Sequence, residues 1–447
     1  MRLASLFGTL LLFVLPTSAG CSSAPDAIPP SRAVAGDDDD EAEARGDGRT
    51  PPGQPDDPQT PAPAGATKIG SALIVDLGAV SAGKSVTLDV PSNALGFNVV
   101  VEGGSVGIAR ITSPSGAVVH DAHMPKNGSF PTSESIDGAA SASVPQSDVT
   151  GALPIAPGKW TIAFAGSGAG KATARVQTTS DGKFHGGALD LVIHVPVGLR
   201  MSSPSPSHVV DPAKASTDRD IVARVDRFFV ALDRAFGIGR GAVSFKAAPA
   251  ALVRIATDAA ITQAASVAKD APDAQALHIV LTNAIGEGEG DLLGLSPGIP
   301  GAAIRPGTSM SALMVAHYDD TNVESEALTW LHEMGHFVGL QHTTEYDGSA
   351  FDPLSDTPKC TGGTRNPTRC PDNGNLMFTG SFPAAPILSA AQKAVLRGSP
   401  IYRAYADDAA KAAAAPTAAA SAELAELAEL ATAPLAHRHR CSGRWTR

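Results

Sequence analysis

The chain has 447 residues and a formal net charge of −11, with 45 acidic against 34 basic side chains and 5% aromatic residues. That balance, with the basic residues scattered, excludes the basic surface that nucleic acids require, and no phosphate-cradling loop is present. The length allows two or three folded domains, although the part able to fold is shorter than the whole.

In chain order, Met1-Arg2 precedes an apolar run from Leu3 to Leu15 that is too short to span a bilayer. Small residues, Thr17-Ser18-Ala19-Gly20, follow it and lead to Cys21, so residues 1–21 are expected to form an export signal. Ser-Ala-Gly-Cys also resembles a bacterial lipobox, in which Cys21 would be lipidated, and anchored and freely secreted forms both stay open. The protein is thus expected outside the cell or as an outer-membrane or cell-surface lipoprotein of bacterial type. Its only contact with a membrane would be this N-terminal anchor, because no other segment is long and apolar enough to cross one. Residues 22–66 are rich in Pro, Asp, Ala and Gly and carry the run Asp37-Asp38-Asp39-Asp40-Glu41, a composition expected to stay a disordered linker.

From 67 to 182 the sequence changes to short apolar runs between turn residues. Ala72–Val75, Ser85–Leu88, Phe97–Val101 and Lys159–Phe164 are strand candidates, and turn signals at about ten-residue spacing predict an antiparallel β-sandwich. His120 and His123 lie close together in this stretch but lack a third ligand.

The second half, residues 188–406, opens with Leu189–Val195, a branched run suited to a buried strand. Thr217-Asp218-Arg219-Asp220 then provides an N-terminal cap for a helix in which Ile221, Val225, Phe228, Leu232 and Phe236 recur at helical spacing until Gly237 stops it. Ala276–Leu281 and Ala312–Tyr318 are further strand candidates, and residues around Gly294–Ile304 are candidate substrate-edge positions. His317 is expected to be a structural histidine.

Residues 332–342 carry the densest chemistry. His332 and His336, four apart, lie one above the other on one helix face and can place two imidazole nitrogens on one zinc ion. Glu333 lies beside the first ligand as a general-base candidate. Gly339 can take the left-handed conformation that ends a helix, which lets His342 return as third ligand and leaves a fourth position open.

Downstream, Cys360 and Cys370 flank a short loop and are expected to form a disulfide in an oxidising compartment. Asn373-Gly374 signals a turn before Met377, and Ser389 with Gln392 forms a capping box for a helix through Arg397. Residues 407–447, with their Glu-Leu-Ala repeats and basic end, are expected to be a peripheral low-complexity tail that carries Cys441.

The series from His332 to His342, followed by Thr343, Asp356-Thr357-Pro358, Cys360, Cys370 and Asn375-Leu376-Met377, resembles the metzincin clan of zinc metallopeptidases, and within it the pappalysin-like branch. Two positions depart from that branch: Thr344 stands where phenylalanine is frequent, and Thr379 where many relatives place a tyrosine near the metal. The resemblance implies an α+β metzincin catalytic domain with a mixed twisted sheet, a zinc-binding active-site helix, a Met-turn at Met377 and a C-terminal helix, preceded here by the β-sandwich. It implies one catalytic zinc on His332, His336 and His342, Glu333 as base, and a protein or peptide substrate cleaved by a monomer. Some relatives bind calcium near this loop, for which Asp352, Asp356 and Asp372 are the candidates. Two other functions compete with this reading: a surface binding or adhesion protein with a vestigial peptidase domain, and a zinc hydrolase of small molecules.

Overall fold

The computed structural model describes residues 65–122, 133–286, 292–319, 321–363, 367–379 and 386–414. The signal segment, Cys21, the linker up to residue 64, His123, the tail beyond residue 414 and Cys441 lie outside the described residues.

Ten strands form the N-terminal part: β1 (Thr67–Ile69), β2 (Ala72–Ser81), β3 (Ser85–Val90), β4 (Ala94–Glu102), β5 (Ser105–Thr112), β6 (Val118–Asp121), β7 (Ser133–Ile136), β8 (Ala139–Val144), β9 (Gly158–Ser167) and β10 (Ala169–Thr178). They pair antiparallel in two sheets, ordered β1-β2-β10-β4-β8-β7 and β3-β9-β5-β6. Alternation explains the register of β9, where Trp160, Ile162 and Phe164 are buried and the residues between them are not. These side chains meet Phe97, Val99 and Val101 of β4 in one apolar cluster that draws on both sheets. Within it Phe97 and Trp160 stand edge to face at 5.3 Å.

Strand β4 is buried on both faces. While Phe97, Val99 and Val101 point into the cluster just described, Val100 packs with Ala302 and Met310 of the catalytic half. Asn98, on that same outer face, donates to the Gly301 carbonyl at 3.4 Å. A strand covered on both sides needs an almost continuous apolar run, which is how Phe97–Val101 reads.

The catalytic half begins with β11 (Gly187–Pro196) and a small ribbon, β12 (Arg200–Met201) with β13 (His208–Val209). Helix α1 (Arg219–Phe236) starts where the Asp218 carboxylate accepts from the backbone N–H groups of Asp220 and Ile221, and stops at Gly237 with φ 73°. Its stripe, Ile221, Val225, Phe228, Leu232 and Phe236, is core. There follow β14 (Ile238–Ala248), β15 (Arg254–Ile255), α2 (Asp258–Ala265), β16 (Ala276–Thr282), β17 (Ala284–Ile285), β18 (Gly294–Leu295), β19 (Ala312–Ala316), α3 (Val323–Val338), α4 (Ala390–Gly398), β20 (Arg403–Ala404) and α5 (Asp408–Ala414).

The main sheet runs β14-β11-β16-β19-β18, with β20 also paired to β11. Its four longer strands are parallel, whereas β18 runs antiparallel to β19 at one end of the order. A mixed α+β architecture results, with α1, α3 and α4 sharing one core with this sheet. Sheet and helices belong to the same compact unit as the N-terminal strands.

Candidate metal centre

Helix α3 starts at Asn322, whose side chain accepts from the Ser325 N–H at 2.8 Å, and it is buried on every side from Ser325 to Val338. Apolar residues such as Leu328, Trp330, Leu331, Met334 and Phe337 surround the helix and fix its rotation in the core. Gly339 ends it with φ 115°, and the Leu340 N–H closes back onto the Gly335 carbonyl at 2.8 Å. The chain therefore reverses within two residues and brings His342 back under His332 and His336.

The three rings converge through their Nε2 atoms, at 3.3 Å between His332 and His342 and 3.1 Å between His336 and His342. Each Nδ1 faces an oxygen that can only accept: the Leu376 carbonyl for His332, the Leu340 carbonyl for His336 and the Glu345 carboxylate for His342, all at 2.7 Å. The ring protons therefore sit on Nδ1, and the Nε2 lone pairs face one another with no hydrogen between them. Such an arrangement is repulsive unless a cation lies among them. Zn–N bonds of about 2.0–2.1 Å at tetrahedral angles place the nitrogens about 3.3–3.4 Å apart, so this donor set fits zinc. Burial pushes the His332 imidazole down to about 3, with the neighbouring His342 adding to the shift, and burial holds His336 well below the usual range. The His332 and His336 rings stay neutral, as ligands must.

Glu333 is 2% exposed, and burial pushes its carboxyl up to about 8, against the opposing pull of a hydrogen bond from the Ser296 backbone. The edge strand β18 passes directly over it: a Cβ on Gly294 would strike the Glu333 side chain. The absence of a side chain at Gly294 thus gives the edge-strand backbone its close approach to the carboxylate. Leu295 pairs with Met314 of β19, which holds this edge in register above the helix.

Met377 lies beneath the histidines. Gly335, midway between Glu333 and Phe337, leaves room for it, since a Cβ there would come within 2.5 Å of the Met377 sulfur. The Met377 N–H donates to Asn375 Oδ1 at 2.8 Å, and its carbonyl accepts from Thr343 at 3.0 Å. Asn375 is held in turn by Gln392, whose Oε1 accepts from Asn375 Nδ2 and from the Ser389 N–H in the capping box of α4.

The connection between His342 and Met377 is closed by the Cys360–Cys370 disulfide. Thr344 donates to Asp372 Oδ2 at 2.7 Å and accepts from the Cys360 N–H at 3.0 Å. Thr343 shares the same Asp372 oxygen. Asp352 accepts from Thr357, and Asp356 accepts from the Ala391 N–H at the start of α4. Among the described residues, Asp352, Asp356 and Asp372 do not gather into one cation cluster. Thr379 is buried at 3% exposure.

Among the described residues, His317 and His120 lie away from this centre. His317 accepts at Nε2 from the Ser202 N–H at 3.0 Å and donates from Nδ1 to Glu326 at 3.0 Å, beside the buried Arg224–Glu326 ion pair. His120 faces the Ile108 carbonyl at 3.3 Å within the N-terminal sheets. Three glycines make close approaches: Gly294 over Glu333 and Gly301 over the Phe337 ring, both within the candidate substrate-edge stretch, and Gly335 over Met377, for which the local sequence carries no signal.

Residues 300–379 match the Peptidase M43 family model, described as Pregnancy-associated plasma protein-A. The matched stretch runs from the loop before β19 through α3 to Thr379. No curated protein matches the chain. Among solved structures, mirolysin in complex with a small compound is 14% identical, over 47% of this chain and 91% of that one, with a TM-score of 0.30. The protein YXIM from Bacillus subtilis is 12% identical, over 47% of this chain and 53% of that one, with a TM-score of 0.13.

Proposed function

We propose that this chain, a pappalysin-like metzincin zinc peptidase, is an exported endopeptidase in which Glu333 is the general base for peptide-bond hydrolysis. The observation that carries the reading is the convergence of three Nε2 atoms whose ring protons are all committed elsewhere, next to one buried carboxylate.

When held by His332, His336 and His342, zinc would supply Lewis acidity towards a carbonyl oxygen and would lower the pKa of a bound water. Glu333, one residue along α3 from His332, would be drawn from the raised value that burial alone gives it towards its ionised form by a neighbouring zinc charge, and would then accept the proton of the attacking water and deliver it to the leaving amide nitrogen. The edge strand β18 takes the extended substrate as an added strand, its backbone N–H and C=O groups holding the peptide beside Glu333. Met377 floors the site and does not react.

The N-terminal sheets form a β-sandwich accessory domain over residues 67–182, and the catalytic domain occupies 188–406. Residues 1–21 direct export, and Cys21 is the point of lipid attachment if the protein is anchored.

The test is hydrolysis of casein by the purified chain, by the Glu333→Gln variant and by a chelated sample, with the zinc content of each. The expected result is one zinc per chain in the wild type and in Glu333→Gln, with cleavage reduced at least about 10²–10⁴-fold in the variant. Zinc retained with equal cleavage by both would remove Glu333 from the reaction. Zinc retained with no cleavage by either would favour a binding protein with a vestigial site.

A further inference from the structure

Helix α3 leaves its last carbonyls without partners inside the helix, as every helix does, and here those carbonyls lie between the second and third histidines. The His336 and Gly335 carbonyls are taken by the Gly339 and Leu340 N–H groups as the chain reverses. Two further carbonyls, those of Phe337 and Gly339, are met by donors from outside the helix. Phe337 accepts from the Gly301 N–H at 2.8 Å, and the Gly301 carbonyl is itself held by Ser141 Oγ at 2.9 Å and by Asn98 of the N-terminal sheets. Gly339 accepts from the Gln146 side-chain amide at 3.2 Å.

Gln146 belongs to the connection between β8 and β9 and lies 193 positions from Gly339. It is 3% exposed, and its Oε1 accepts from the Ser143 N–H at 3.2 Å, which leaves the amide nitrogen aimed at the helix end. Its side chain also fills the space beside Gly339 that a Cβ would occupy, at 2.9 Å from Gln146 Cγ. One residue on, the Leu340 carbonyl orients the His336 ring, and two residues further stands His342. The same connection reaches the loop beyond His342, where Asp148 accepts from the Ser355 N–H at 2.7 Å.

We propose that Gln146 is a positioning residue for the zinc centre: by holding the Gly339–Leu340 turn, the N-terminal sheets fix how His336 and His342 present their nitrogens. The inference rests on the zinc reading above. The N-terminal sheets are then a structural component of the metal site and not a separable attachment. Outer partners of metal ligands typically change affinity by about 10–100-fold, and Gln146, acting through backbone, belongs at the lower end of that range.

The experiment measures zinc affinity of the full chain by competition with a calibrated chelator, with the unfolding midpoint of each zinc-free variant recorded alongside. Gln146→Ala is expected to weaken zinc binding about tenfold. Gln146→Glu keeps the shape but places a carboxylate against the Gly339 carbonyl, and is expected to weaken it further. Asp148→Ala, which breaks the contact of the same connection with Ser355, serves as the structural control and is expected to bind zinc like the wild type. Zinc affinities of both Gln146 variants equal to that of the wild type would overturn the inference, as would an equal loss in Asp148→Ala. A wild-type chain that binds no zinc would instead remove the zinc reading, and this inference with it.

Discussion

Among the described residues, two groups of buried histidines lie within 188–406, and they differ in where their protons are. In the sheet, His194 of β11 and His278 of β16 stack with ring centroids 5.3 Å apart, and His194 Nε2 lies 3.0 Å from His278 Nδ1. One ring donates to the other, so the pair is satisfied by a proton of its own. In the centre on α3, every Nδ1 proton is given to a carbonyl or carboxylate oxygen, and the Nε2 atoms are left facing each other. Burial lowers the basicity of both groups: His194 falls to about 3, His278 to about 4 and His332 to about 3. Low basicity therefore does not mark a metal site. What marks it is the outer ring of acceptors that forces the lone pairs inward.

The sharpest way to break this comparison is to remove one ring from each group. His342→Ala should take the chain from one bound zinc to none and abolish hydrolysis, because two imidazoles alone do not make a three-ligand site. His278→Gln, which keeps a hydrogen-bonding group opposite His194, should leave one zinc in place and hydrolysis near the wild-type rate. Zinc content by elemental analysis decides it, and loss of zinc from the sheet variant would mean that the two groups are not independent.

The α3 centre was legible in the sequence because its parts are local. His332 and His336 are related by helical periodicity, and Gly339 announces the reversal that returns His342. The caps of α1 and α4 were legible for the same reason: the stretch Thr217–Asp220, within which Asp218 proves to be the cap, and Gly237, Ser389 and Gln392 act on neighbours within four residues. What was not legible depends on contacts between distant segments. Nothing in the local pattern shows that Gly294 must pass over Glu333, that Gly335 must admit the Met377 sulfur, or that Gln146 reaches Gly339. Each is set by tertiary packing, which has no sequence period. The long strand β14, Ile238–Ala248, was also missed. Its pattern of half-buried and exposed residues follows from its place at the end of the sheet, where only one neighbour fixes it.

A smaller perturbation sharpens the role assigned to the acceptors. Glu345 Oε1 lies 2.7 Å from His342 Nδ1 and is the one charged member of the three outer partners. Glu345→Gln keeps an acceptor oxygen but loses the charge that raises the donor strength of the ring. Zinc affinity should fall about 10-fold, and Glu345→Ala should bring the loss towards 100-fold, within the range seen for outer partners of metal ligands. Chelator competition measures both, and unchanged affinity in Glu345→Ala would show that the His342 tautomer is set by other groups.

The sheet pair makes its own prediction, and the sign follows from the direction of the shifts. His194 and His278 are held below the usual imidazole range by burial first; His278 and Lys246 then depress His194, and Lys246 depresses His278. A group whose folded pKa is depressed contributes stability that is present above its unfolded pKa, about 6.5, and lost as pH falls towards the folded value. For these two rings the window runs from about pH 6.5 down to about 4 and 3. His120 of the N-terminal sheets, lowered to about 4 by burial, adds a similar loss in the same window. Each ring that stays neutral in the fold costs about 2 kcal/mol of stability between pH 7 and 5, since 1.5 pH units below the unfolded pKa correspond to roughly that energy. His278→Gln should therefore lose about 2 kcal/mol less than the wild type on acidification from pH 7 to 5. Urea unfolding of both chains at the two pH values measures this difference, and parallel losses would mean that His278 takes up its proton in the fold as readily as in the unfolded chain.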